Sequence, residues 1–120
     1  MAPFRLERYL RDLRDRTADT PDLPLELCDS PRVPRAMLRR IAHLWARALL
    51  DDRFETLLLP ILVTAAPLVD ALAAESRERG WDLPREFFAE RLESGGCLLL
   101  IDGVAGVAEQ FPRNVWFVAG

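Results

Sequence analysis

The chain has 120 residues, half of them hydrophobic, which is enough for one domain with a buried core. Its formal net charge of −3 gives no sign of the basic character that is typical of nucleic-acid-binding domains. All sixteen basic residues are arginine, so chemistry that needs a lysine is excluded.

Targeting and redox signals are absent from the sequence. The first residues lack the apolar segment of a signal peptide, and no apolar run reaches the length of a membrane span. Cys28 and Cys97 lie far apart, without metal-ligand spacing, which favours reduced core thiols over a disulfide. We therefore predict a cytoplasmic protein with no membrane partner and no nucleic-acid partner.

The first predicted element is an amphipathic helix over residues 4–16. Its apolar residues recur at the spacing that places them on one helical face: Leu6, Tyr9, Leu10 and Leu13. Such a helix either docks on a partner or packs on its own domain, and we favour packing. With the polar loop that follows, it forms an N-terminal segment, residues 1–22, ahead of a predicted α/β domain over residues 23–120.

The sequence LPLELC predicts a first strand over residues 23–28. Pro24 has no N–H to donate to a neighbouring strand, and Glu26 places a charge in the middle of the segment. Both features are typical of a strand at the edge of a sheet.

A helix is predicted next, beginning near Pro34, a residue that suits the first turn of a helix. It carries a long apolar stripe: Met37, Leu38, Ile41, Leu44, Trp45, Ala48 and Leu49. His43 lies on this helix, but one histidine without a placed partner is not a catalytic constellation. Cys28 and Ser30 likewise lack a base, so we predict no catalytic residue.

Three further strands are predicted over residues 57–64, 98–101 and 115–119. Helices are predicted between the first two of them, over residues 68–79 and 85–93, with Gly80 and Gly95 at their ends. This alternation predicts an α/β fold. We expect a three-layer sandwich with a small, mostly parallel, four-stranded sheet.

The apolar run at 98–101 ends in Asp102 and Gly103, at the strand end where ligands bind in open α/β sheets. ERLESGGCLLLIDGVAGV resembles the Walker B region of NACHT-type NTPases of the STAND class. MLRRIAHLWARALL resembles the helix after their phosphate-binding loop. The resemblance covers about residues 23–120 and is most specific at 97–103. In that family the Asp102 position helps to hold Mg²⁺, whereas the second acid pair falls on Ala105 and Gly106.

The resemblance places CDSPRVPRA at the phosphate-binding loop, where every functional position differs. The family's lysine falls on Pro34 and its magnesium-binding hydroxyl on Arg35. A phosphate cradle needs free N–H groups and a cation, so we predict no cofactor and no metal. The degenerate Walker B residues are Asp102 and Gly103, and the degenerate Walker A residues are Cys28, Asp29, Ser30, Pro31, Arg32, Val33, Pro34 and Arg35. Arg32 and Arg35 are candidates for binding an anion, or they are a solvated pair that flanks the helix.

STAND proteins are switches in immune signalling and, in bacteria, in antiviral defence. The resemblance therefore implies an inactive module that acts on a protein partner through residues 4–28, as an adaptor or regulator. Two alternatives stay open, namely a nucleotide-binding module with an unconventional site and a fragment of a NACHT NTPase. The strand order of the class also predicts that the first strand is a sheet edge here and that the N-terminal helix covers it.

Overall fold

The computed structural model describes residues 3–20, 32–51 and 58–119. The predicted strand at 23–28 lies outside these residues. The predicted helices and the later strands are confirmed to within two residues at each described end, and α5 is an addition. The helices are α1 (Pro3–Arg16), α2 (Arg35–Leu50), α3 (Leu68–Arg79), α4 (Arg85–Ser94) and α5 (Val107–Gln110), and the strands are β1 (Arg32–Val33), β2 (Leu59–Val63), β3 (Cys97–Ile101) and β4 (Val115–Ala119).

The four strands form one parallel sheet in the order β1-β4-β3-β2. All five residues of the inner strand β3 are buried, which explains its uninterrupted apolar sequence. Strand β2 lies at the edge of the sheet, and Pro60 is its second residue. The predicted α/β class with a small parallel sheet is confirmed.

The connections between strands place helices on both faces of the sheet. The connection through α2 crosses from β1 to β2, and those through α3, α4 and α5 return in the opposite direction. Because such crossovers are right-handed, α2 covers one face and the other three helices cover the opposite face. Helix α2 contacts β2, β3 and β4. The result is a three-layer sandwich. None of the described helices is long and apolar enough to cross a membrane.

Helix α1 covers the free edge of β2. Strand β2 pairs with β3 through the backbone of Leu59 and Val63, so the intervening Pro60 carbonyl points away from the sheet. The Tyr9 hydroxyl donates a hydrogen bond to that carbonyl. The prediction that this helix covers the edge of the first strand, residues 23–28, falls on a segment outside the described residues. In the described part of the chain, α1 lies at the β2 edge of the sheet, where Tyr9 meets the outward carbonyl of Pro60.

The apolar face of α1 belongs to the core of the domain. Tyr9, Leu10 and Leu13 are buried. The Tyr9 ring packs edge-on against Trp81 at 4.7 Å between centroids and against Phe88 at 6.4 Å. Burial raises the pKa of Tyr9 well above its usual value, so its hydroxyl stays a donor. The expectation that this helix packs on its own domain is confirmed.

Charged residues on α1 join it to the end of α3. The Asp12 carboxylate accepts a hydrogen bond from Trp81 Nε1 at 3.0 Å and lies 3.6 Å from the Arg79 guanidinium. Arg16 lies 3.7 Å from Glu75. These side chains are about a quarter to two-fifths exposed, so the pairs orient the helix more than they stabilise it.

Two buried polar side chains, Asn114 and Ser76, form hydrogen bonds to backbone groups of neighbouring segments, and no sequence pattern predicted these bonds. The Asn114 Oδ1 accepts the Cys97 N–H at 3.0 Å, and its Nδ2 donates to the Leu92 carbonyl at 2.8 Å. The Ser76 hydroxyl donates to the Leu83 carbonyl at 2.9 Å and accepts the Leu83 N–H at 2.8 Å. Each side chain stands in for backbone partners that a buried turn lacks.

Cys97 begins β3 and is buried. Burial raises the pKa of its thiol to about 12, so the thiol stays protonated and unreactive at neutral pH. Cys97 is a free thiol in the core, as predicted. Cys28 lies outside the described residues.

Candidate functional site

The candidate site lies at the carboxyl ends of the parallel strands. Asp102 follows β3 directly, and its N–H still donates to the Val63 carbonyl at 2.8 Å. Gly103 then turns the chain with φ at +75°, a conformation that glycine adopts without strain. The acid is therefore fixed by the sheet, at the edge where open α/β sheets bind ligands.

The carboxylate of Asp102 pairs with the guanidinium of Arg35. Arg35 Nε donates to Asp102 Oδ1 at 3.0 Å. The Asp102 side chain is 18% exposed, whereas that of Arg35 is 70% exposed. Arg35 is the first residue of α2, so the order of the strands brings together two residues that lie 67 positions apart.

The junction before α2 contains a single residue. Arg32 and Val33 form β1, Pro34 caps the helix with φ at −58° and ψ at 148°, and Arg35 begins α2. The prediction that these positions form a degenerate Walker A loop is therefore corrected here. Arg32 and Val33 lie in a strand, because the extended backbone of Pro34 leads directly into the helix. The rest of that segment, residues 28–31, lies outside the described part of the chain.

These residues do not fit a magnesium–nucleotide complex. Mg²⁺ takes several oxygen ligands, whereas Asp102 offers one carboxylate, of which Oδ1 accepts a hydrogen bond from a guanidinium. Pro34 has no N–H to offer a phosphate. Over residues 3–20, 32–51 and 58–119, no three histidine, cysteine or acidic side chains are grouped in a way that could hold a metal.

Arg32 and Arg35 are the candidates for binding an anion. Arg35 is paired with Asp102. Arg32 lines a cavity that Arg35 does not reach, and it interacts elsewhere in the chain. The two candidates thus have separate surroundings.

His43 joins α2 to the end of α1. Its Nδ1 lies 3.0 Å from the Arg14 carbonyl and 3.2 Å from the Thr17 hydroxyl. A carbonyl oxygen only accepts hydrogen bonds. Nδ1 therefore carries a hydrogen and donates a hydrogen bond to the Arg14 carbonyl. His43 has a structural position on the helix face, as expected, and does not face Asp102.

A cavity of about 540 Å³ opens beside the loop that follows Asp102. Sequence reasoning missed it because the pattern of residues 115–119 predicted a strand but not how far its faces are covered. In the structure Val115 is exposed and the rest of β4 is only half-buried. The cavity is lined by Arg32, Ile101, the loop and helix residues 103–109, Trp116, Val118 and Ala119.

Comparison of the chain with protein-family models, with curated proteins and with solved structures finds no match. The likeness to NACHT domains rests on the sequence around Asp102 and along α2, and it stays a prediction.

We expect Asp102→Asn to change the free energy of unfolding by about 1 kcal/mol or less. The reason is that Arg35 is mostly exposed, and ion pairs with an exposed partner are worth about 0–1 kcal/mol. Urea unfolding of Asp102→Asn, Arg35→Gln and the double variant measures the coupling between the two side chains. A melting temperature that rises with Mg²⁺ in the wild type and not in Asp102→Asn would contradict a role without metal.

Proposed function

We propose that this chain is a non-catalytic NACHT-like module that acts in the cytoplasm through contacts with a protein partner, as an adaptor or regulator in signalling or defence. The observation that carries the proposal is the ion pair between Arg35 and Asp102. The family resemblance assigns a magnesium-binding hydroxyl and a magnesium-binding carboxylate to these two positions. In this chain a permanent cation occupies the first position and neutralises the second.

The backbone beside the ion pair supports the same conclusion. Phosphate binding at a helix start uses several consecutive N–H groups that point at the ligand. Pro34 removes one of these groups, and the strand before it is paired with β4. Each charge-assisted bond that a nucleotide loses costs about 1.5–3 kcal/mol, so the loss of several removes useful affinity.

The arrangement of the sheet supports an origin in the same class of domain. The resemblance implies that the first strand lies beside the fourth and that the second strand lies at the far edge. The observed order, β1-β4-β3-β2, agrees for the second, third and fourth strands, whereas the predicted first strand at 23–28 lies outside the described residues and β1 is Arg32–Val33. An inactivated relative of such a domain would keep a parallel sheet of this kind. Its acid at the ligand-binding edge would be paired with a cation, as Asp102 is with Arg35.

The partner surface that we propose is the outer face of α1 together with the segment that follows it. The inner face of α1 is buried in the core, so it is closed to a partner. Arg8, Arg11 and Asp15 are exposed on the outer face. A partner for residues 4–28 would therefore meet a charged helix face, with residues 21–28 outside the described structure.

We expect no saturable binding of Mg·ATP or Mg·GTP in calorimetry, and no release of phosphate. The matched variant Arg35→Thr restores a hydroxyl at the helix start and removes the guanidinium. We expect it also to bind no nucleotide, because the junction still lacks a phosphate-binding loop. A low-micromolar Kd for Mg·ATP that Asp102→Ala abolishes would overturn the proposal.

Co-expression with the products of neighbouring genes tests the partner. We expect one of them to co-purify with this chain in a fixed ratio and to be lost on Arg11→Glu, which reverses a charge on the outer face of α1. Arg113→Glu before β4 is the control, since Arg113 is also exposed and lines a cavity that no residue of α1 lines. Equal loss in both variants, or retention in both, would exclude the outer face of α1 as the contact.

A further inference from the structure

We propose that the cavity beside β4 binds a small planar aromatic molecule that carries one negative charge. This inference goes beyond the proposed function, because it depends neither on the family resemblance nor on a protein partner. It rests on the position of the cavity in the sheet, on the aromatic residue in its wall and on the charges that surround it.

The cavity lies at the point where the connections of the sheet change direction. The chain leaves β1 through α2 on one face, and it joins β3 to β4 through α5 on the opposite face. Open α/β sheets bind ligands in the crevice that such a reversal leaves at the carboxyl ends of the strands. Arg32 of β1, Ala119 of β4 and Gly103 after β3 all line this cavity.

The size and lining of the cavity suit a small organic molecule. Its volume of about 540 Å³ lies within the range of about 300–1,000 Å³ of small-molecule sites. Most of its lining is apolar. Gly103 and Gly106 have no side chains, so the loop does not narrow the cavity at these two positions. A Cβ added at either glycine would meet no atom within 4 Å, so both positions face open space.

Trp116 supplies the aromatic surface. It pairs in register with Leu99, and Val118 pairs with Ile101, so these four side chains share one face of the sheet. Leu99 and Ile101 are buried under the helices, whereas Trp116 and Val118 are only half-buried and line the cavity. An indole fixed on a strand and open on one side stacks favourably on a planar ring.

The charges around the cavity set the charge of the ligand. Arg32 and Glu109 are the two charged residues of the lining. Arg32 lies directly beside Val118 in the sheet, whereas Glu109 is an exposed residue of α5. A guanidinium has five N–H groups, so Arg32 can keep its contact within the chain and still donate to a ligand anion. One cation balanced by one acid accommodates a monoanion and disfavours a polyphosphate.

A second cavity of similar size also combines an aromatic residue with one cation and one acid, namely Phe111, Arg113 and Glu93, so its position in the sheet is what distinguishes it. It lies between the end of α4 and the start of β4, where Glu93, Pro112 and Arg113 form part of its wall. It is therefore at the amino ends of the strands, away from the ligand-binding edge. Arg113 offers a matched cation for a control variant, since it is exposed like Arg32.

The test uses two probes with the same type of ring system, the singly charged 8-anilinonaphthalene-1-sulfonate and the uncharged N-phenyl-1-naphthylamine. We expect saturable binding of one sulfonate per chain, with a Kd about tenfold below that of the uncharged probe, as one charge-assisted hydrogen bond gives. Arg32→Gln should remove this difference, and Trp116→Leu should weaken both probes. Arg113→Gln should change neither, and near-ultraviolet circular dichroism checks that each variant is folded.

Amide chemical shifts of the wild-type chain provide a measurement that needs no variant. Titration with the sulfonate should shift amides of residues 103–109 and 116–119 and leave α1 and α3 unchanged. Shifts spread over the whole chain, an equal effect of Arg32→Gln and Arg113→Gln, or unchanged binding in a folded Trp116→Leu would overturn the proposal. Nucleotide binding, measured separately, does not decide this outcome.

Discussion

A chain that lacks residues 1–16 is expected to lose its cooperative unfolding transition. The truncation removes Tyr9, Leu10 and Leu13 from the core and exposes the β2 edge together with Trp81 and neighbouring apolar side chains. Loss of one large buried side chain costs about 2–5 kcal/mol. Loss of three approaches the whole stability of an ordinary domain, which is about 5–15 kcal/mol. Urea titration followed by circular dichroism measures the effect.

Two point variants separate the core contribution of α1 from its charged face. Leu13→Ala should lower the free energy of unfolding by about 3 kcal/mol, because Leu13 is fully buried. Arg11→Ala is the control and should change it by less than about 0.5 kcal/mol, because Arg11 is exposed. If the truncated chain stayed monomeric and unfolded at the wild-type urea concentration, α1 would not be part of the core.

Asn114→Ala is expected to lower the free energy of unfolding by about 2–4 kcal/mol. The variant leaves the Cys97 N–H and the Leu92 carbonyl buried without their partner. Each unpaired buried group costs about 1–3 kcal/mol. The position is 4% exposed, so water does not readily replace the lost amide. Urea unfolding at neutral pH gives the value.

Asn114→Asp distinguishes the two hydrogen bonds of this amide. One carboxylate oxygen can still accept the hydrogen bond from the Cys97 N–H. The other oxygen then faces the Leu92 carbonyl, and neither of these two groups has a hydrogen to donate. The variant should therefore also be destabilised at neutral pH. Protonation restores a donor, so its deficit relative to the wild type should shrink as the pH falls. The control is Gln110→Ala, an exposed polar residue close by in sequence. A loss below about 0.5 kcal/mol in Asn114→Ala would show that the amide is not needed.

Local patterns predicted most of the elements and few of the contacts between them. The apolar run of β3 predicted a strand, and Gly80 and Gly95 marked helix ends. The stripe on α1 showed which side of the helix is buried. It did not show that the side meets β2, because that depends on the direction of the Pro60 carbonyl in the folded sheet.

The candidate site was harder to predict for the same reason. Asp102 was found from its place after an apolar strand, but its partner Arg35 lies far away in sequence and has no motif. Trp116 was predicted only as part of a strand, and a strand sequence does not reveal how many helices cover it. Asn114 belongs to no periodic pattern, since its partners lie on two other elements.

The single residue between Val33 and Arg35 has a consequence for protein engineering. Replacing side chains alone cannot install a phosphate-binding loop at this edge, because such a loop needs several consecutive peptide units with their N–H groups turned inward. Codons would have to be added between β1 and α2. A junction of one residue therefore limits this edge more strictly than any substitution of Asp102 would, because changes of side chain leave the length of the junction unaltered.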